Sequence, residues 1–246
     1  QAMDALRQLF HAHQDIHIRL RAMWALHITG GLSAEELITS LHDPEEYVRA
    51  WAIQFLCEDD GLQYEAFTQF VEMANSDPSP VIRLYLASAL QRLEENQIWE
   101  IASALVTHEE DIHDHNIPKM LWYGIEPLVP KDPIRAVQLA LASKIPAITQ
   151  YIARRMSDGE KLENVVAAIG EYPQSRYLLL LGMRDSLTGK HDVKPPPSWQ
   201  EVYSLLQSDE EKIAQLALQL AQTFGDDGRP RESGDPNAQE KNDLVH

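Results

Sequence analysis

Apolar residues recur with helical spacing in the stretch DPEEYVRAWAIQFL, which begins at Asp43. The apolar positions are Val48, Trp51, Ala52, Phe55 and Leu56. They fall at i, i+3, i+4, i+7 and i+8, so they form one stripe along a helix, with polar residues such as Arg49 on the other side. Asp43 is expected to cap this helix and Pro44 to occupy its first turn.

The same pattern returns in the stretch DPSPVIRLYLASAL, which begins at Asp77. Its stripe consists of Ile82, Tyr85, Leu86, Ala89 and Leu90. Arg83 follows the first stripe residue, as Arg49 follows Val48, and Asp77 again stands five residues before that stripe residue. In every repeat we call the residue five before the first stripe residue the Asp position, and the residue directly after the first stripe residue the Arg position. Two copies of one such unit predict a repeat protein.

Further copies of the stripe occur along the chain with decreasing fidelity. Their first residues are Ile18, Val48, Ile82, Leu121, Ile148, Leu179 and Ile213. The steps between them, 27 to 39 residues, suit two antiparallel helices with their turns. An Asp position and an Arg position around a Val or Ile are typical of a HEAT repeat. Repeats two and three carry both, repeat one has His13 at the Asp position, and repeats four to seven keep only the spacing.

The pattern therefore predicts an all-α fold, a right-handed α–α superhelix of about seven helical hairpins. This HEAT/armadillo-like solenoid is expected to be one continuous body over residues 1–225, because each repeat buries its apolar face only on its neighbours. After Gly225 almost no apolar residue occurs, so residues 226–246 are predicted to be a disordered or poorly ordered tail. Gln1 and Ala2 lead at once into a helical pattern with no polar capping element, so we expect this chain to be part of a longer protein.

The charge balance limits the partners of this chain. A net charge of -17, from 38 acidic and 21 basic residues, argues against binding nucleic acid or an anionic membrane surface. No apolar run reaches the ~18 residues of a membrane-spanning helix, and direct membrane contact is not expected. The one cysteine, Cys57, excludes an internal disulfide, does not indicate the compartment and is expected to be a packing residue.

Two histidine clusters are the candidates for chemistry. The run from His108 to His115 contains HEEDIH, which resembles the zinc-protease motif but separates its histidines by five positions instead of four. We expect a solvated acidic loop there, with an adventitious or structural metal as the alternative. His11, His13 and His17 are expected to lie at the surface. No phosphate-binding loop, nucleophile elbow or haem motif occurs, so we predict no catalytic residue, no cofactor, no metal site and no enzyme activity for this segment.

The side of each second helix opposite its stripe lines the concave wall of a HEAT solenoid. Aromatic and arginine side chains on a wall that should be polar predict a partner-binding face, because these residue types concentrate in binding hot spots. The candidates are Trp24, Arg49, Arg83, Trp122, Tyr123, Glu126 and Arg154. Leu20, Met23 and Ile53 fall on the same side. The alternative is that all these side chains pack between repeats.

Five segments carry a resemblance to a known family. They are LRAMWALHITGGL, DPEEYVRAWAIQFLCED, DPSPVIRLYLASALQRL, IPKMLWYGIEPL and SKIPAITQYIARRM. Together they resemble the HEAT-repeat region of multidomain proteins of planctomycete-type bacteria. In that family the region lies between a sorbosone-dehydrogenase-like β-propeller and a c-type cytochrome domain. The resemblance implies a connector in an exported parent protein, and the residues of propeller and haem domain have no counterpart here.

The expected function is therefore a non-enzymatic scaffold that binds neighbouring domains of its parent chain or another protein. The alternative is a ligand-binding or lyase-type enzyme built on a HEAT solenoid, such as a bilin-lyase-like or DNA-glycosylase-like protein. The glycosylase form needs a basic cleft, which the acidic composition disfavours. The lyase form needs a ligand pocket among the aromatic residues of the concave wall. The resemblance implies a periplasmic or otherwise exported location, which the sequence alone leaves unknown.

Overall fold

The computed structural model describes residues 1–58, 61–190 and 193–225, and the predicted tail at 226–246 lies outside these ranges. The described chain contains fourteen α-helices and no strand, which confirms the all-α prediction. They are α1 (Ala2–Ala12), α2 (Ile16–Ile28), α3 (Ala34–Ser40), α4 (Glu46–Leu56), α5 (Tyr64–Ser76), α6 (Pro80–Ala89), α7 (Glu95–Leu105), α8 (Ile117–Ile125), α9 (Pro133–Ala142), α10 (Pro146–Ser157), α11 (Leu162–Glu171), α12 (Arg176–Leu187), α13 (Trp199–Leu206) and α14 (Glu211–Thr223). None of the described helices is both long and apolar enough to span a bilayer.

The helices pack in a regular order along the chain. Each odd-numbered helix contacts the even-numbered helix that follows it, which makes a helical hairpin. Even-numbered helices also pack on the next even-numbered helix, from α2 to α14, and odd-numbered helices do the same from α3 to α13. The seven predicted first stripe residues lie in the seven even-numbered helices, and all but the half-buried Ile18 are buried.

The core is one cluster of buried apolar side chains supplied by every hairpin. Its large members include Phe10, Phe70, Leu105 and Trp199, each 2% exposed or less. Each buried side chain of this size contributes ~1.5–3 kcal/mol by leaving water. Cys57 is buried in the same cluster, as predicted for a packing residue, and this burial raises the pKa of its thiol to about 11.

Two glycines allow even-numbered helices to approach closely. A Cβ on Gly182 of α12 would lie 2.3 Å from the carbonyl oxygen of Gln150 and 2.8 Å from the amide nitrogen of Arg154, both in α10. A Cβ on Gly124 of α8 would lie 2.4 Å from the Cβ of Leu90, just after α6. Only glycine fits at these two contacts, and the α10–α12 contact is the more restrictive because its neighbours are backbone atoms.

The Asp positions do not cap the helices that follow them, so that prediction was wrong. Helix α4 begins at Glu46, and Oδ1 of Asp43 accepts the N–H of Glu45 at 3.0 Å instead. Likewise Oδ1 of Asp77 accepts the N–H of Ser79 at 2.9 Å, while Ser79 itself is the N-cap of α6. Each aspartate therefore closes a turn two residues ahead of the cap, because its carboxylate is shared with an arginine described below.

Candidate partner-binding face

Three arginines on α2, α4 and α6 each hold an aspartate that lies one hairpin further along the chain. The pairs are Arg19 with Asp43, Arg49 with Asp77, and Arg83 with Asp111. All three are two-point contacts; in the buried third pair Nε and Nη2 of Arg83 donate to the carboxylate of Asp111 at 2.6 and 2.7 Å. These contacts form an arginine–aspartate series that joins the first four hairpins.

Each arginine of the series also donates to backbone carbonyls of its own hairpin. Nε of Arg19 donates to Phe10 at 2.8 Å, and Nη1 of Arg49 donates to Asp43 at 2.8 Å. Nη1 of Arg83 reaches the carbonyl of Asp77 at 3.4 Å. The planar guanidinium therefore ties the turn before its own helix to the next hairpin, which a lysine could not do with the same geometry.

In the fourth hairpin two aspartates make the contacts that a single aspartate makes in the second and third hairpins. Asp111 takes Arg83, while Oδ1 of Asp114 accepts the N–H groups of Asn116 and Ile117, both at 2.8 Å. The backbone hydrogen bond from Ile117 and that from Asn116 lower the pKa of Asp114, against the opposing effect of desolvation. Sequence spacing missed this arrangement because neither aspartate stands at the Asp position of the fourth stripe.

The predicted solvated acidic loop is wrong for part of its length. Asp111 is 2% exposed, and Nε2 of His108 lies 2.8 Å from the carbonyl oxygen of Ala74 in the preceding hairpin. The other residues of the run, including His113 and His115, are exposed. Across the described ranges no three His, Cys, Asp or Glu side chains are grouped so that they could hold a metal ion.

Some residues of the predicted partner-binding face are not accessible in the structure. Arg83 is 3% exposed and Arg49 is bound to Asp77, so neither guanidinium is available on an open surface. The side chains of Leu20, Met23 and Ile53 are buried in the core. For these five residues the alternative that they pack between repeats is the correct one, because the arginine–aspartate series and the core need them.

A row of half-buried aromatic side chains crosses α2, α4 and α6 instead. The rings of Trp24 and Trp51 meet edge to face with centroids 5.1 Å apart, and Trp51 and Tyr85 do so at 6.3 Å. We call these three residues the aromatic row. Sequence reasoning placed Trp51 and Tyr85 in the buried stripe, and only their position at its edge, beside polar residues such as Gln54, could have indicated partial exposure.

A cavity of about 380 Å³ opens beside the aromatic row. Its apolar lining comes from Trp51, Leu84, Tyr85 and Met120, and its polar lining comes from Gln54, Ser88 and Asn116. It lies where α4, α6 and the start of α8 meet. Aromatic and methionine side chains with a polar rim are typical of the centre of a protein interface.

A second cavity of about 250 Å³ lies between α8, α10 and α12 and contains two of the predicted residues. Trp122 and Tyr151 form its aromatic side, with centroids 5.4 Å apart and planes at 51°. Its remaining lining consists of Arg154, Arg155, Asp158, Asp185 and Ser186. Glu126 lies next to it, because Nε of Arg155 donates to its carboxylate at 2.5 Å. Tyr123 is 52% exposed and lines neither cavity.

Both carboxylates of this second cavity have partners within the protein. The hydrogen bond from Lys190, at 2.6 Å, is the main cause of the lowered pKa of Asp158. Desolvation would raise the pKa of Asp185, but hydrogen bonds from Arg184 and Gln150 lower it overall. Both side chains are therefore ionised and matched near neutral pH.

No protein-family model, curated protein or solved structure matches this chain. Its function has to be inferred from its own residues.

Proposed function

We propose that this chain is a HEAT-repeat scaffold, a right-handed α–α superhelix whose even-numbered helices present a binding face to a protein partner. The regular packing of hairpin on hairpin supports this proposal, and so does the arginine–aspartate series, which uses the Arg positions of repeats one to three and the Asp positions of repeats two and three. A repeat array of this kind gains stability from each added neighbour and offers a long surface. In this proposal the chain binds and positions other proteins and carries out no reaction itself.

The aromatic row with its cavity is the observation that carries the binding role. Trp24, Trp51 and Tyr85 keep part of their rings accessible on three successive even-numbered helices, beside the apolar cavity that Met120 helps to line. Large aromatic side chains bury much area at little entropic cost, so they dominate the energetics of interfaces. We therefore place the centre of the interface at Trp51 and Tyr85.

The proposed partner is a neighbouring domain of the parent chain or a separate protein. The net charge of -17 favours a partner whose contact surface is basic around an apolar centre, and it disfavours nucleic acid. The more specific role, a connector between a dehydrogenase-like domain and a c-type cytochrome domain, is supported by the resemblance of the five segments alone. An exported location is proposed on the same basis.

The scaffold proposal is tested with the domains encoded beside this segment in its parent reading frame. Each domain is produced separately, and its affinity for this chain is measured by calorimetry. Tyr85→Ala and Met120→Ala should each weaken binding by about tenfold, since a residue at the centre of an interface contributes ~1–2 kcal/mol or more. Tyr64→Ala is the matched control, because Tyr64 is an exposed tyrosine on the odd-numbered helix α5. Equal affinities for all variants would contradict the proposed face.

A ligand-binding or lyase-type protein on the same scaffold is the second candidate. The cavity beside the aromatic row favours it, because its volume of about 380 Å³ falls within the ~300–1,000 Å³ of small-molecule sites. Purified protein that carries a visible absorption band, or that melts at a higher temperature with a bilin or haem, would support this candidate. A featureless visible spectrum and no thermal shift would favour the scaffold.

A further inference from the structure

We propose that the second cavity, between α8, α10 and α12, is a binding site for a single carboxylate group carried on an aromatic or apolar body. It is separate from the aromatic row and does not depend on the scaffold role. The cavity of about 250 Å³ is smaller than most drug-sized sites, so it suits one small molecule or one side chain.

The charge that this cavity leaves unmatched is positive. Three of its four charged side chains have partners: Arg155 pairs with Glu126, Asp158 with Lys190, and Asp185 with Arg184 and Gln150. Arg154 is exposed and forms no ion pair or side-chain hydrogen bond with any residue that the structure describes. Arg154 lies near enough to Asp158 and Asp185 to contribute to the lowered pKa of both, but none of its five N–H donors is hydrogen-bonded to a described residue, and a carboxylate can accept two of them.

The aromatic side chains of the cavity determine which kind of molecule can carry the carboxylate. Trp122 and Tyr151 are half-buried and hold each other at 5.4 Å, so they offer a fixed apolar wall. Arg154 lies three residues after Tyr151 on α10, so the wall and the guanidinium belong to the same helix face. Gly182 brings α12 against the backbone of Arg154, and α12 contributes Asp185 and Ser186 to the lining.

Ser186 supplies an unused polar group in the same lining. Its side chain is 9% exposed, and its hydroxyl has no hydrogen-bond partner among the residues described. A buried hydroxyl without a partner is costly, whereas a ligand oxygen in the cavity would satisfy it after a change of rotamer. A carboxylate has the acceptor oxygens for both Arg154 and Ser186.

The net charge of the protein limits the ligand to one negative charge. A molecule of charge -17 repels polyanions at a distance, so binding depends on short-range contact with Arg154 and the aromatic wall. Salt screens this distant repulsion and also the contact with the exposed guanidinium, two effects of opposite sign, so the affinity should depend only weakly on salt. Aromatic carboxylates should bind better than acetate, and phosphate should bind poorly.

Nuclear magnetic resonance on the ¹⁵N-labelled full chain tests the site directly. The chain has five tryptophans, hence five indole N–H signals, and loss of one signal in Trp122→Phe identifies that of Trp122. Titration with sodium benzoate should shift the Trp122 signal, whereas benzylammonium chloride, the charge-reversed probe, should not. An unmoved Trp122 signal with benzoate would overturn the proposal, and so would an equal or larger shift with benzylammonium.

Two variants test the roles of the polar groups. Arg154→Gln should weaken benzoate binding by about tenfold or more, and Ser186→Ala should weaken it several-fold while leaving the melting temperature unchanged or higher. Arg21→Gln is the matched control, because Arg21 is an exposed arginine on another even-numbered helix, α2. Parent-like affinity in Arg154→Gln, or an equal loss in Arg21→Gln, would overturn the assignment of the guanidinium.

A third measurement distinguishes the two sources of such a carboxylate. The peptide N-acetyl-phenylalanyl-glutamic acid α-amide presents one carboxylate, that of its glutamate side chain, beside an aromatic ring on a polypeptide backbone. Tighter binding of this peptide than of benzoate would identify an acidic side chain of a protein as the natural ligand. Tighter binding of benzoate would identify a free small carboxylate. Binding of neither probe would contradict the site.

Discussion

The hairpins from α1 to α8 and those from α9 to α14 pack in the same order but are joined by different contacts. In the first region successive hairpins share buried or half-buried arginine–aspartate pairs that repeat from one hairpin to the next. In the second region α12 packs directly on the backbone of α10 at Gly182, and the cross-hairpin ion pairs are Arg155–Glu126, Arg176–Asp209 and Lys190–Asp158. The first region thus repeats one arginine–aspartate contact from hairpin to hairpin, whereas the second region keeps one comparable pair, Arg176–Asp209, and adds the close backbone contact at Gly182.

In the fifth hairpin, hydroxyl side chains stand at the Asp position and the Arg position. Ser143 stands at its Asp position and accepts the N–H of Ile145 at 3.1 Å, as Asp43 accepts that of Glu45. Thr149 stands at its Arg position and donates to the carbonyl of Ala140 at 2.8 Å. Short hydroxyl side chains therefore keep the local turn contacts, but they are too short to reach the next hairpin. The glycine contact replaces the missing connection.

The largest expected effect is the loss of the buried pair in the first region. Asp111→Ala leaves the guanidinium of Arg83 buried without its carboxylate, so the free energy of unfolding should fall by ~3–5 kcal/mol. Urea denaturation measures it. Glu109→Ala on the same turn is the control and should stay within about 0.5 kcal/mol, since Glu109 is exposed. Equal stability of the two variants would mean that this pair does not join the hairpins.

The corresponding substitution in the second region is Gly182→Ala. Its Cβ would lie 2.3 Å from a backbone oxygen, so α10 and α12 must separate, at a cost of about 1–3 kcal/mol. Gly159→Ala is the control, because a Cβ there meets nothing within 4 Å. A Gly182→Ala variant as stable as the control would show that close packing is not what holds this region.

Cys57 reports whether the two regions open independently. Its thiol is buried in the first region with a pKa raised to about 11, so alkylation at pH 8 requires local opening. In an array held by nearest neighbours, Asp111→Ala should speed the alkylation of Cys57 by about tenfold or more, and Gly182→Ala should change it much less. Equal acceleration by both variants would indicate one cooperative unit and would remove the contrast between the regions.

A double-mutant cycle compares the ion pairs of the two regions. Both side chains of the Arg155–Glu126 pair are 36% exposed, so solvent screens their attraction. The coupling energy from Arg155→Gln and Glu126→Gln should be below about 1 kcal/mol. The same cycle on Arg83 and Asp111 should give a clearly larger value. A larger coupling for the exposed pair would reverse the comparison.

The smallest expected effect is that of Asp114→Asn. The pKa of Asp114 is lowered from 3.8 in the folded protein, so ionised Asp114 contributes stability above pH 3.8, and the contribution is lost as pH falls through the folded value. Asparagine keeps an acceptor oxygen, so the loss at pH 7 should stay near 0.5 kcal/mol. Denaturation midpoints at pH 7 and pH 3 should show the gap between variant and parent closing in acid. A gap that widens in acid would contradict this assignment.

The sequence by itself determined the helical class, the number of hairpins and their order. Each stripe depends only on residues three and four apart, and each of the seven first stripe residues lies in its own even-numbered helix. The caps of individual helices were harder to predict, because Asp43 and Asp77, which stand at the expected cap positions, close the preceding turn. Ser79 is the cap of α6, and nothing in the stretch DPSP favours Ser79 over Asp77 as the cap.

Only the tertiary structure decided which polar and aromatic residues are accessible. Arg83 and Arg154 both lie outside the apolar stripes of even-numbered helices, yet Arg83 is buried against Asp111 and Arg154 lies at the edge of a cavity. The difference depends on carboxylates 28 residues further along the chain, as with Asp111, and on Gly182 in the next hairpin. Helical periodicity is a local property, whereas the burial of a charge is set by what the neighbouring hairpin brings within hydrogen-bonding distance.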